Sequence, residues 1–204
     1  MTTSRLEAFS DGVFAIAITL LILDIKVPEV HHDLAHALWH QWPNYAAFLI
    51  SFMVIGIMWV NHHAMLVPVA RVDRPLLFLN LGLLLTVVVI PFPTSLFARY
   101  VRAGADSHVA AAVYGAVMLT AAIFFNTIWW WISRGPQLVH DHVDHVAARA
   151  QLRRFSIGIY VYAATILIAF ISAPVALAMH FVIAVYYVVD RLATDSDGAP
   201  AAAP

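Results

Sequence analysis

The chain has 204 residues, of which 62% are hydrophobic and 11% charged, with a net charge of −1 and no cysteine. A soluble domain carries roughly half and a quarter, so the composition excludes a water-soluble protein and describes a polytopic membrane protein. The missing cysteine removes disulfides, thiolate nucleophiles and cysteine-ligated metals, and the near-neutral balance offers no basic surface for nucleic acid.

The first element runs from Arg5 to Pro28. Met1 to Ser4 is too short for a cleavable signal, so this helix is expected to stay in the mature protein. It opens on Arg5, Glu7, Ser10 and Asp11, runs apolar from Gly12 to Leu23 with Thr19 its only hydroxyl, and closes on Asp24 and Lys26. At roughly 1.5 Å per residue, Glu7 to Val27 covers about 30 Å, the thickness of the hydrocarbon layer. An acid inside such a span is costly and marks a functional-site hypothesis.

Next, residues 31–42 form an outer loop with a short amphipathic pattern at Leu34, Leu38 and Trp42. The remaining predicted spans are residues 44–66, 75–97, 108–133, 153–172 and 174–191, six in all with 7–27. A tight turn at Ser172-Ala173-Pro174 separates the last two, because 39 residues are too many for one crossing. Residues 134–152 form the longest inner loop, with His140, His142 and His145, and are expected to hold an interfacial helix. Residues 1–192 make one membrane domain, and the Ala/Asp/Pro/Gly/Ser tail 193–204 is expected to be disordered. With the amino terminus inside, inner segments hold eight arginines and outer ones only Lys26, Arg99 and Arg102, which puts both termini in the cytoplasm.

Arg5-x-x-x-Phe9-Ser10-Asp11-Gly12, leading into an Ile/Leu/Thr helix, resembles the family of transmembrane protein 175, the lysosomal potassium channel, and its single-repeat prokaryotic relatives. Trp59-x-x-His62-His63 and Asn80 through Pro91-Phe92-Pro93-Thr94 extend the likeness over most of residues 5–191. The resemblance implies four subunits whose first helices line a central pore, with pore-facing positions at Ile16, Thr19, Leu20 and Leu23. Ile16 would be the tightest apolar ring, Leu20 and Leu23 further apolar layers, and Thr19 the layer with oxygens.

The residues themselves are compatible with that use. At about 100° per residue and with Ile16 at zero, Leu20 falls at about +40°, Leu23 at about −20°, Thr19 at about −60°, Gly12 at about −40° and Val27 at about +20°. Asp11 falls at about −140° and Ser10 at about +120°, away from this stripe. Buried Asp11 needs a partner, and a protonated His62 or His63, Arg5, or Asn80 is available at similar depth. These groups are read as an anchor for the helix rather than as ion contacts. Asp24 at the outer end either gathers cations as a ring of carboxylates or pairs with Lys26.

A ring of branched side chains can close a pore by excluding water. No TVGYG-type carbonyl filter and no regularly spaced arginine helix is present, so the usual potassium filter and voltage sensor are excluded. Catalytic motifs such as HExxH or a glycine-rich phosphate loop are absent too. The reading is an all-α homotetramer in the cell membrane, passing potassium or other monovalent cations passively, without cofactor or resident metal. A proton or cation transporter with Asp11 and His62 or His63 as a relay is the alternative.

Overall fold

The computed structural model describes residues 2–29, 32–139, 158–183 and 185. Four helical stretches in it are long and apolar enough to cross a membrane: Thr3–Asp24, Trp42–Leu66, Arg74–Tyr100 and Ala105–Arg134. The chain is an all-helical membrane protein. Helix α1 spans Thr3–Leu20 and tightens into a 3-10 turn over Leu21–Asp24. Helix α2, Leu34–His40, is the short amphipathic segment between the first two spans; it starts at Asp33, which adopts φ 57° and caps the His36 amide at 3.4 Å. Helix α3 is Trp42–Leu66, with Pro43 in its first turn, where a missing N–H costs nothing.

The third span departs from the single helix expected over 75–97. It breaks into α4, Arg74–Val89, and α5, Pro91–Tyr100. Pro91 has no N–H to give the Val87 carbonyl, which instead takes the Ile90 amide at 3.1 Å in a tighter turn. Hydroxyls bind the break to its neighbours. The Thr94 hydroxyl donates to the Ile90 carbonyl at 2.8 Å and meets Ser51 Oγ of α3 at 2.7 Å. Ser51 in turn meets the Tyr114 hydroxyl of α6, Ala105–Arg134, at 3.1 Å.

One end of the bundle is knit by polar contacts. Asp73 caps α4 through the Leu76 amide at 3.0 Å and accepts from the Trp131 indole of α6 at 3.1 Å. The Ala70 amide donates to the Leu138 carbonyl at 2.7 Å, and the Thr3 hydroxyl to the Val69 carbonyl at 3.2 Å. The amino terminus, the α3–α4 loop and the end of α6 therefore share one end. The opposite end holds the α5–α6 turn, where Gly104 takes φ +60°, a conformation that suits glycine.

Helices α7, Gly158–Ala169, and α8, Ala173–Ile183, lie against α5 and α6. His108 Nδ1 meets the Ala169 carbonyl at 2.6 Å, so α7 finishes at the Gly104 end. The expected break is present: Pro174 stands in the first turn of α8, just after the turn that separates the helices. His180 is held within the bundle by the Ala176 carbonyl at 2.7 Å and lies edge-on to Tyr114. The anticipated interfacial helix around His140, His142 and His145, and the tail 193–204, lie outside the described residues.

Candidate pore helix and its polar anchor

Helix α1 buries one edge: Leu6, Ser10, Phe14 and Ala17, continued by Leu21 in the 3-10 turn. Their spacing of three and four residues makes a single stripe, which packs on α3 and α4. The opposite edge is uncovered. Ile16 is 60% exposed and Leu23 63%, with Gly12, Thr19 and Leu20 open beside them. Thr19 donates its hydroxyl proton back into the helix, to the Ala15 and Ile16 carbonyls at 3.0 and 2.9 Å. Its oxygen lone pairs are thereby left on the open side.

The helical stripe does not extend to Val27 as the regular pattern assumed. The α-helical pitch ends at Leu20, and residues 25–29 are non-helical. At about 120° per residue in a 3-10 turn, Leu23 stays near the stripe at about +40° while Asp24 swings to about +160°. Asp24 then lines a polar cleft of about 350 Å³ with Lys26, Asn44, Ser95, Arg99 and Tyr100. Among the described residues it forms no ion pair with Lys26, and Asn44 Nδ2 donates to its backbone carbonyl at 3.3 Å.

The anchor separates into two parts. Ser10, His62 and Asn80 are at most 1% exposed and form one chain across three helices. The Ser10 hydroxyl donates to the Leu6 carbonyl at 2.8 Å. Asn80 Nδ2 donates to Ser10 Oγ at 3.0 Å, and Asn80 Oδ1 faces His62 Nε2 at 2.7 Å. Because that oxygen can only accept, His62 carries its proton on Nε2. The donors thus run in one direction, from His62 through Asn80 and Ser10 to the Leu6 carbonyl, and the Phe14 ring lies 5.4 Å from the imidazole.

Asp11 stands outside this chain. Its hydrogen-bond donor is Trp59, whose indole N–H reaches Oδ1 at 2.8 Å, in place of the histidine, asparagine or Arg5 considered from the sequence. Neighbouring residues on a helix point about 100° apart, so Ser10 turns to α4 while Asp11 turns to the open side of α3. The signal for Trp59 was its indole donor at the depth of Asp11, since a partly buried tryptophan needs an acceptor. Arg5 and His63 are exposed, and Phe9 is exposed on the stripe side of α1 rather than in the anchor. Alongside Asp11 and Trp59 an apolar cleft of about 340 Å³ opens between α1 and α3, lined by Ala15, Ile18, Ile55 and Gly56.

Residues 5–91, which hold the stripe and both parts of the anchor, match the family model described as the endosomal/lysosomal potassium channel TMEM175. A protein of Streptomyces collinus named a potassium channel is 54% identical over 187 residues, 91% of each chain. The chain belongs to the TMEM175 family. This is a family of channels and not of enzymes. The crystal structure of a lysosomal potassium-selective channel TMEM175 homolog from Chamaesiphon minutus superposes with a TM-score of 0.82 at 39% identity, covering 92% of this chain and 97% of that one. The chicken endosomal/lysosomal proton channel TMEM175 is 34% identical over 139 residues, but these are only 28% of its length. Anchor and stripe thus lie within the part of the chain shared with the TMEM175 family.

Proposed function

We propose that this chain is one subunit of a homotetrameric, passive, potassium-permeable channel of the cell membrane, with six helices per subunit and both termini cytoplasmic. Four α1 helices surround the axis. Ile16 forms the narrowest ring, Leu20 and Leu23 add apolar layers, and Thr19 presents oxygens between them. The observation that carries this reading is the two-sidedness of α1: a wholly buried polar chain fixes one edge, while the apolar stripe opposite is covered by none of the described residues. Lipid alone asks for no such orientation lock.

Hydrocarbon cannot replace an ion's hydration shell, so the apolar rings act as a gate that must widen and rewet. Selectivity then falls to hydrated passage and to the Thr19 oxygens, whose lone pairs are free to meet a cation. Asp24 shares its cleft with Lys26 and Arg99, which does not favour the ring of bare carboxylates at the mouth. A proton relay from Asp11 to His62 or His63 is not favoured either, since Asp11 bonds to the Trp59 indole and His62 to Asn80, and no hydrogen bond among the described residues joins Asp11 to either histidine.

Reconstitution into liposomes tests the proposal. A channel gives resolved unitary currents whose reversal follows the potassium gradient, and native mass spectrometry gives four subunits. Coupled transport without unitary steps, or another span nearest the symmetry axis, refutes it.

A further inference from the structure

At the Gly104 end of the bundle, between α3, α5 and α8, lies a crevice of about 430 Å³ to which α1 contributes no residue. Its walls are apolar, with Ile50, Phe97, Leu177 and Phe181 among them. Its mouth carries Trp42 and Arg102, the guanidinium carbon 5.1 Å from the indole centroid. Ile50 lies eight positions along α3 from Trp42, roughly 12 Å deeper at the helical rise. The crevice therefore runs from the interfacial belt, where tryptophan and arginine are at home, into the hydrocarbon layer.

Arg102 is the only charged side chain among the described residues that line it. Among the described residues it forms no hydrogen bond or ion pair, so its N–H donors are open while its guanidinium carbon sits over the Trp42 ring. A narrow apolar slot beneath an unneutralised planar cation is the complement of one molecule type available at that depth. We propose that the crevice binds a single anionic phospholipid from the leaflet opposite the amino terminus. An acyl chain lies between α3 and α8, and the phosphodiester takes a forked contact from Arg102.

The lining explains each part of that choice. None of the described lining residues is a carboxylate that could pair with a choline or ethanolamine headgroup, so the anionic lipid is preferred. Free phosphate has nothing to fill the slot below. The polar cleft at Asp24 differs on both counts, holding its own carboxylate and lacking an apolar shaft. The proposal does not rest on the pore reading, because it concerns no residue of α1.

Native mass spectrometry of the full chain, purified in detergent and incubated with phosphatidylglycerol, phosphatidylcholine or inorganic phosphate, tests it. The wild type is expected to retain one phosphatidylglycerol per subunit and to retain phosphatidylcholine and inorganic phosphate weakly. Arg102→Gln lowers phosphatidylglycerol affinity about tenfold, the loss of one charge-assisted contact. Ala178→Trp fills the slot and abolishes retention with Arg102 intact; should it fail to purify as wild-type oligomer, Ala46→Leu narrows the same slot more gently. Equal retention of the two lipids, unchanged affinity in Arg102→Gln, retention by a slot-filling variant, or phosphate bound as well as the lipid each overturns the site. Retention is read without any ion flux, so a non-conducting wild type would refute the channel and leave this result standing.

Discussion

Replacing Asn80 by leucine removes the centre of the buried chain while keeping its branched side-chain shape. Two interhelical hydrogen bonds are lost, His62 to Asn80 and Asn80 to Ser10. Such bonds are worth about 0.6 kcal/mol on average inside a membrane protein, with a ceiling of about 1.7. The His62 imidazole N–H, inaccessible to water, is also left without an acceptor, which costs about 1–3 kcal/mol more. We predict a net loss of about 2–4 kcal/mol for Asn80→Leu, read as the shift in the unfolding midpoint of the detergent-solubilised protein. Because the penalty is mostly the orphaned imidazole, His62→Phe added to Asn80→Leu should recover part of it, since replacing both partners by apolar groups approaches neutrality. A single variant within about 0.5 kcal/mol of wild type, or a double variant as unstable as the two losses added, would refute the claim that this chain locks α1.

Ile16→Asn is predicted to raise leak through the closed pore by making the narrowest ring wettable; unchanged resting current in liposomes counts against the gate assignment. Asp11→Ala removes the acceptor of the Trp59 indole and is predicted to weaken assembly more than ion preference. Recovery of a normal oligomer by native mass spectrometry would end the anchor role of that pair. Gly82→Val is predicted to destabilise the fold by about 1–3 kcal/mol through overpacking. Even a Cβ at Gly82 would come within 2.3 Å of the Phe124 ring, so α4 must move from α6 or the ring must turn. A thermal midpoint equal to wild type would show that this close approach is dispensable.

Much of the architecture was legible in the amino-acid sequence because lipid imposes a length and a polarity on every crossing. The four long spans, the turn before Pro174 and the stripe of Ile16, Thr19, Leu20 and Leu23 all follow from apolar runs and helical periodicity, which are local properties. Local rules also placed Ser10 and Asp11 at one depth on adjacent faces. They did not decide which of the two is buried, because that depends on where α3 and α4 stand around α1. Tertiary packing gave Ser10 to Asn80 and Asp11 to Trp59. The 3-10 turn over Leu21–Asp24 is marked by neither glycine nor proline; it packs against α3 and α5, and it is what turns Asp24 off the stripe. The third span was expected as one helix over 75–97 despite Pro91 and Pro93, since whether a helix bends or breaks at proline rests on whether other groups satisfy the freed carbonyls. Here the Ile90 amide takes the Val87 carbonyl that Pro91 frees, while Ser51 of α3 holds the Thr94 hydroxyl and is itself held by Tyr114 of α6. Sequence determines what each segment must bury; only the assembled bundle determines which neighbour buries it.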